Sequence, residues 1–150
     1  MRRGETWERR LERRHDEYRR DRRAVILRCH PEVRIVHRAG AAVSGRLGAD
    51  GPPDFLGVVC GSGRAVAAEA KTTVKSYLPM AMIPRHQAMD LSAYDEAGAL
   101  ALVLASLGGT EWVLDWHVVG PTWWAGATAW RPNDPGGRAM IDADWLTALG

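Results

Sequence analysis

The sequence predicts an α/β fold in which a mixed central sheet of about five strands is flanked by helices. Segments with helical spacing of apolar residues alternate with short apolar runs typical of strands, and turns rich in Gly and Pro separate them. The 150 residues are 46% apolar and 25% charged, the ordinary balance of a globular domain. We therefore expect residues 1–150 to form one domain.

Residues 4–20 are predicted to form the first helix. Trp7, Leu11 and Tyr18 follow one another at roughly helical intervals, and acidic side chains alternate with Arg elsewhere. Two interpretations stay open for this amphipathic helix. It is either a solvated, salt-bridged surface helix, or one that points Glu8 towards a catalytic cluster while several of its Arg side chains contact phosphates.

The first third of the chain is strongly basic. Residues 1–46 hold fourteen Arg and seven acidic residues, a net charge of +7, whereas residues 47–150 hold six basic and eleven acidic residues, a net charge of −5. A guanidinium group binds phosphate oxygens in a bidentate manner, so this composition favours a polyanionic partner, although a GC-rich genome produces the same bias. The DNA-binding candidates are Arg3, Arg10, Arg14, Arg38, Arg46 and Lys75.

Two strands are predicted at 24–27 and 33–36, and a long irregular stretch follows them. Residues 37–53 contain four Gly, two Pro and only scattered apolar residues. A stretch of this length in a compact domain is usually functional or disordered. We predict a protruding loop or stalk that offers Arg38 and Arg46 to DNA.

The candidate active centre lies in the next two apolar runs, 55–60 and 64–72, which a Gly-Ser-Gly turn joins. If the runs pair as a hairpin, strand alternation puts Glu69 and Lys71 on one face and brings Asp54 beside Glu69. A helix is the alternative, because the second run is rich in Ala, Glu and Lys. The Gly residues before this run and the Thr residues at its end favour a strand.

Two carboxylates and one ammonium group in a cluster indicate a metal-dependent nuclease centre. Carboxylates brought together repel each other and raise each other's pKa unless a cation intervenes. Mg²⁺ typically binds one or two carboxylates together with phosphate oxygens of a substrate. The sequence therefore predicts a Mg²⁺ site at Asp54 and Glu69 with Lys71 beside it, and Mn²⁺ is the expected substitute.

A helix over 85–98 is predicted after Pro84, and Gln87 lies in its first turns, where the side chain reaches back towards the sheet. One side of this helix is predicted to carry Met89, Ala93 and Ala97.

The rest of the chain is predicted to contain strands at 99–105 and 111–118 and short helical pieces at 121–125 and 140–149. The sequence contains seven Trp, and the adjacent pair at 123–124 either stacks on unpaired bases or fills the core. Large aromatic side chains more often fill the core.

No membrane span or secretory signal is predicted. The longest apolar stretch, around 99–107, is too short to cross a bilayer, and no hydrophobic segment follows the Arg pair near the N-terminus. Cys29 and Cys60 lie far apart in strand-like runs, so we expect reduced, buried thiols without a function. These features predict a cytoplasmic protein with no membrane partner.

Taken together, these segments resemble the RecU-type Holliday junction resolvases of the PD-(D/E)XK nuclease superfamily. The resemblance covers most of the chain, and the order and spacing of the motifs are more specific than any single motif. The motifs are Arg3-Gly4 with Glu8, Leu11 and Tyr18; Ala24-Val25-Ile26; Asp54-Phe55-x-Gly57-Val58; Glu69-Ala70-Lys71-x-Thr73; and Pro79 with His86-Gln87.

The resemblance implies a restriction-endonuclease-like fold and a homodimeric, Mg²⁺-dependent endonuclease. Such an enzyme cuts four-way DNA junctions by two symmetrically placed nicks. The family pattern implies that Asp54, Glu69 and Gln87 hold the metal and that Lys71 stabilises the transition state. On the interpretation in which the first helix points Glu8 towards this cluster, Glu8 is a further catalytic residue.

The sequence departs from the family pattern at Pro52, where a Thr commonly provides a further metal contact. The stretch 37–53, which resembles the stalk that enters the junction centre, is somewhat shortened and rich in Gly. Two rival functions remain: another PD-(D/E)XK nuclease that cuts flaps or particular sequences, and a non-catalytic junction-binding protein. The second has no use for Asp54, Glu69 and Lys71.

Overall fold

The computed structural model describes residues 4–30, 33–39, 42–47 and 51–150. The helices in these residues are α1 (Trp7–Arg20), α2 (Arg85–Glu96), α3 (Trp116–Trp124) and α4 (Trp145–Leu149), and one turn of 3₁₀ helix spans Met80–Met82. The strands are β1 (Ala24–Arg28), β2 (Val33–Ala39), β3 (Ala42–Leu47), β4 (Phe55–Val59), β5 (Ala65–Thr73), β6 (Leu78–Pro79), β7 (Leu100–Leu107), β8 (Thr110–Asp115), β9 (Ala129–Trp130) and β10 (Gly137–Met140).

A six-stranded mixed sheet forms the centre of the fold, in the order β1-β4-β5-β7-β8-β10. The β5–β7 pair is parallel, and the other neighbouring pairs are antiparallel. The parallel pair needs a crossover connection, and α2 lies within it. This architecture confirms the predicted α/β fold with a mixed sheet, which has six strands where the sequence indicated about five.

Helix α1 covers one face of this sheet, as predicted. Its buried stripe consists of Trp7, Leu11, His15 and Tyr18, and Thr6 caps its N-terminus by accepting a hydrogen bond from the first-turn backbone N–H of Arg9. The stripe packs against apolar side chains of β4, β5 and β7 and against α4. The aromatic rings and the sheet therefore form the first of two core layers.

Helices α2 and α3 cover the opposite face and form the second core layer. Helix α2 begins after Pro84 and ends before Gly98, as the sequence predicts. Its buried residues are Ala88 and Leu91, whereas Met89 is 53% exposed. The predicted apolar side was therefore wrong, because Met89 lies on the solvent side of a helix whose weak amphipathic pattern does not define its orientation.

The C-terminal third differs from the prediction at two points. The strand predicted over 111–118 ends at Asp115, whose side chain accepts a hydrogen bond from the backbone N–H of His117 and so caps α3. Residues 137–140 form the edge strand β10 against β8, whereas the prediction began a helical piece at residue 140. Only the later part of that piece is helical, as α4.

Strands β2 and β3 pair antiparallel with each other in a separate two-stranded sheet. The stretch 37–53, predicted as a loop or stalk, therefore includes strand residues over 37–39 and 42–47. The chain leaves the central sheet after Cys29 and returns to it at Asp54. These two residues are neighbours, since the backbone N–H of Cys29 donates to the carbonyl of Asp54 at 2.8 Å. The protrusion of this stretch towards DNA stays a prediction.

Both cysteines are free. Cys29 is half-buried, but Cys60 is exposed in the turn after β4, so the predicted burial of the second thiol was wrong. No helix in the part of the chain that the structure describes is long and apolar enough to cross a membrane.

We expect His15 to make the fold sensitive to acid. Its Nε2 accepts a hydrogen bond from Trp145 Nε1 at 2.9 Å, and burial lowers the pKa of the imidazole from 6.5 to about 4. The unfolded chain binds a proton below pH 6.5 and the folded chain only below about 4, so stability is lost as the pH falls through this window. His15→Gln should flatten the dependence, by roughly 3 kcal/mol over the window.

Urea unfolding of the wild type and His15→Gln between pH 4 and 7 measures this difference. His117→Gln is the matched control, because the His117 side chain is 77% exposed. A His15→Gln variant with the wild-type pH dependence would contradict the expectation.

Candidate active site

Strands β4 and β5 form the hairpin on which the predicted site depends. Phe55 pairs with Ala68, and the next pair in the same register brings Asp54 beside Glu69. Val66, Ala68 and Ala70 of β5 point into the core layer beneath α1. Strand alternation therefore turns Glu69 and Lys71 to the α2 side, which confirms the predicted hairpin over the alternative helix.

The backbone of β5 fixes the Asp54 carboxylate. Asp54 Oδ2 accepts a hydrogen bond from the backbone N–H of Ala70 at 2.8 Å. Asp54 immediately precedes β4 and is half-buried, so one carboxylate oxygen is anchored while part of the residue remains exposed to solvent at the start of the strand.

The Glu69 carboxyl group is buried and incompletely satisfied. Glu69 is 1% exposed, and its Oε2 has no hydrogen-bond partner in the described residues. Burial and the neighbouring Asp54 charge raise the pKa of Glu69 from 4.5 to about 8, while Lys71 acts in the opposite direction. A buried acceptor without a donor is costly, and such groups are concentrated at functional sites.

Lys71 lies on the same face as Glu69 and is held by α2. Its Nζ donates to Gln87 Oε1 at 2.6 Å. Burial lowers the pKa of the Lys71 ammonium, whereas the charges of Glu69 and Asp54 raise it. The first turns of α2 thus reach back to the sheet as predicted, and the contact positions Lys71 beside the two carboxylates.

The donor set fits a hard divalent cation. Asp54 and Glu69 offer carboxylate oxygens, one of them buried without a donor, and a cation would remove the repulsion that raises the Glu69 pKa. No group of three or more His, Cys, Asp and Glu side chains in the described residues forms a metal site. Mg²⁺ needs no such cage, since it typically binds one or two carboxylates and keeps its remaining positions for water and phosphate. Gln87 Oε1 accepts from Lys71 and has one further lone pair.

Glu8 and Arg28 lie at the edge of the site. Glu8 is half-buried in the first turn of α1, and no hydrogen bond joins it to Asp54 or Glu69 in the described residues. The Arg28 guanidinium pairs with Glu12 at 2.7 Å, and the pKa of Arg28 is raised first by this contact and further by the charges of Glu8 and Asp54. Arg28, which the sequence analysis missed, is therefore close enough to both Glu8 and Asp54 to feel their charges.

Two of the predicted DNA-binding residues, Arg10 and Arg14, form ion pairs with acidic side chains of the same protein. Arg10 is 9% exposed, and its Nη2 lies 2.6 Å from Glu111 and 3.2 Å from Asp142. Arg14 pairs with Glu17 and Asp142. The burial of Arg10 does not fit its predicted role as a phosphate contact, because its charge is already neutralised in the core.

Of the other predicted DNA-binding residues, only Lys75 has a side chain in the described part of the structure. Lys75 is exposed, and its Nζ lies 5.5 Å from the centre of the Tyr77 ring. Arg38 and Arg46 are placed in β2 and β3, and their side chains lie outside the described part of the structure. Arg3 also lies outside the described residues.

The fold and the site together have the architecture of a PD-(D/E)XK-type nuclease, with Asp54, Glu69 and Lys71 on an antiparallel hairpin in a mixed sheet. The family model of Recombination protein U, RecU, matches residues 2–123. The chain therefore belongs to the RecU family. Membership implies the function of a Holliday junction resolvase. A comparison with curated proteins finds no match.

Proposed function

We propose that this protein is a Mg²⁺-dependent endonuclease that resolves four-way DNA junctions as a homodimer. The observation that carries the metal dependence is the buried Glu69 oxygen without a donor, beside Asp54 and Lys71. Such a cluster lowers the stability of the metal-free protein, and a bound cation offsets this cost. RecU family membership supports junction DNA as the substrate.

Asp54, Glu69 and the second lone pair of Gln87 would hold the metal ion. When bound, Mg²⁺ lowers the pKa of a water molecule and offsets negative charge on a scissile phosphate. Mn²⁺ suits the same oxygen ligands and is the expected substitute.

Hydrogen bonds within the protein orient the Asp54 carboxylate and the positively charged Lys71 side chain. The Ala70 N–H holds Asp54 in place, and Gln87 holds Lys71 on the same side of the sheet as Glu69. A preorganised ammonium group stabilises charge that develops on the phosphate oxygens in the transition state. The charges of Glu8 and Asp54 both act on Arg28. We propose that Glu8 contributes to catalysis by offsetting the positive charge of Arg28 at the edge of the site.

A two-fold dimer fits the proposed substrate. A symmetric four-way junction presents two equivalent strands, and an isologous dimer presents two equivalent sites. Two symmetric nicks follow if each protomer cuts one strand.

The experiment is a cleavage assay on a labelled synthetic four-way junction, with a flap and a linear duplex of the same sequences beside it. We expect paired nicks in the junction only when Mg²⁺ or Mn²⁺ is present. Preferential cutting of the flap would instead indicate another nuclease activity of this superfamily. Binding without cleavage under all metal conditions would contradict the enzymatic proposal.

We expect the excursion between Cys29 and Asp54 to supply junction selectivity. Replacing residues 31–52 with a short turn should leave the β1–β4 ladder and the metal site intact, because the Cys29–Asp54 hydrogen bond already joins the ends. Cleavage chemistry should survive, and the preference for four-way DNA over linear duplex should be lost, since phosphate contacts elsewhere are common to both substrates.

Cleavage and binding of both substrates at one salt concentration measure this effect. Thermal unfolding and the oligomeric state of the shortened protein are the controls. A folded, dimeric variant that keeps its full discrimination would show that selectivity resides elsewhere.

A further inference from the structure

We infer that Lys75, Tyr77 and Arg131 form a cationic surface that binds the DNA backbone next to the active site. The Arg131 guanidinium carbon lies 4.3 Å from the centre of the Tyr77 ring, and Lys75 Nζ lies 5.5 Å from the same centre. Both cationic side chains are exposed, and Tyr77 is half-buried. We call these three residues the Tyr77 surface, and its assignment to DNA rests on the proposed function.

The small β6–β9 sheet fixes this arrangement. Leu78 pairs with Trp130, and the next pair in that register places Tyr77 opposite Arg131. Trp130 is 2% exposed, and its indole N–H donates to the carbonyl of Pro135 at 3.1 Å. The buried Trp therefore anchors the strand end from which Arg131 extends.

The Tyr77 surface differs from the arginines of α1 because its charges are not neutralised. Neither Lys75 nor Arg131 forms an ion pair with a carboxylate within the described residues, and Asp134 accepts only from the backbone N–H of Arg131. An aromatic ring holds a cation through its π face without occupying the N–H donors at the edge of a guanidinium group. Oriented cations with unused donors are suited to phosphate oxygens.

Two residues of the Tyr77 surface, Lys75 and Tyr77, lie between β5, which carries the proposed catalytic lysine, and β6. Lys75 follows Lys71 by four residues, so their Cα atoms are at most about 14 Å apart. The Lys71–Gln87 hydrogen bond ties together the ends of the segment that contains Lys75 and Tyr77. At about 3.4 Å of helix axis per nucleotide in one strand, this reach corresponds to roughly four nucleotides. The occupant is therefore the backbone of the strand that is cut or of its immediate neighbour.

Arg131 lies beyond residues 2–123, the part of the chain that matches the family model. The Tyr77 surface thus combines two residues from the matched part with one from outside it. Neither Tyr77 nor Arg131 was among the DNA-binding candidates from the sequence, because two residues 54 positions apart give no pattern until the β6–β9 pairing is known.

The test measures DNA binding without divalent metal over a series of salt concentrations, using four-way and linear DNA. Arg131→Ala should weaken binding to both substrates equally and reduce the log–log salt slope by about 0.9, the value for one lost phosphate contact. Tyr77→Leu should also weaken binding, whereas Tyr77→Phe, which keeps a ring face for the cations, should bind like the wild type.

Arg138→Ala is the matched control, because Arg138 is also an exposed arginine of the C-terminal part. A wild-type salt slope in Arg131→Ala, or equal losses in Arg131→Ala and Arg138→Ala, would overturn the inference. This outcome is separable from the proposed function: a wild type that binds but cuts no substrate would refute the nuclease, while the slope difference would still decide the binding surface.

Discussion

Glu69→Gln should abolish cleavage and at the same time stabilise the metal-free protein at pH 8. The side chain is buried, and burial together with Asp54 raises the pKa of its carboxyl group to about 8. Gln has the shape of the neutral carboxyl group but cannot ionise, so the fold keeps its packing and loses the cost of a buried charge. The substitution also removes the anionic ligand that we propose for Mg²⁺.

The sign of the pH effect follows from the proton balance. Between pH 4.5 and about 8 the folded protein retains a proton on Glu69 that the unfolded chain has released. Stability therefore falls as the pH rises through this window. His15 acts in the opposite direction below pH 6.5, so the Glu69 effect appears alone between pH 6.5 and 8. The expected loss of wild-type stability over this interval is about 2 kcal/mol.

Denaturant unfolding in EDTA at pH 6.5 and 8 measures this loss in the wild type and in Glu69→Gln. Glu96→Gln, which changes an exposed carboxylate at the end of α2, is the control for the charge change. Asp54→Asn should abolish cleavage in the same way. Near wild-type cleavage by Glu69→Gln would refute the site, and an unchanged pH dependence would refute the buried charge.

A bound metal should reverse this pH dependence in the wild type. Ligands must be deprotonated to bind a metal, so Mg²⁺ binding at pH 7 should release about one proton per site. Adding Mg²⁺ should therefore raise the stability of the wild type at pH 8 and leave Glu69→Gln nearly unaffected.

The sequence was sufficient to predict that Asp54, Glu69 and Lys71 lie together, but not which charged partners surround them. Asp54, Glu69 and Lys71 lie within one hairpin, and the alternation of a strand is sufficient to bring their side chains together. The choice between strand and helix for β5 depended on weak local preferences, but β5 lies between β4 and β7, and this pairing overrides helix propensity.

Long-range ion pairs explain why two of the predicted DNA-binding arginines, Arg10 and Arg14, have acidic partners within the protein. The excess of arginine near the N-terminus indicated a phosphate-binding face, yet Arg10, Arg13 and Arg14 each contact Asp142, about 130 positions away. Local sequence gives no sign of this acidic partner. Part of the N-terminal positive charge thus holds α1 to the C-terminal segment.

Lys71→Met should reduce the cleavage rate by roughly two orders of magnitude, because the loss of one oriented transition-state contact costs about 3 kcal/mol. Methionine retains the apolar stem of the side chain but removes the ammonium group and frees Gln87 Oε1, which accepts from Lys71 at 2.6 Å. Loss of a cation beside Asp54 and Glu69 does not weaken attraction for a divalent ion, so the Mg²⁺ concentration for half-maximal rate should not rise.

Gln87→Met tests how much of the Lys71 effect depends on the position of its ammonium group and how much on the charge itself. This variant keeps the ammonium group but removes both its hydrogen-bond partner and the metal ligand that we propose for Gln87. We therefore expect a higher Mg²⁺ requirement and, at saturating Mg²⁺, a smaller loss of rate than in Lys71→Met. Single-turnover cleavage of a bound four-way junction over a Mg²⁺ titration gives the maximal rate and the metal requirement separately. If Lys71→Met lowers only the apparent metal affinity and reaches the wild-type rate at high Mg²⁺, then Lys71 organises the metal ligands and does not act on the transition state.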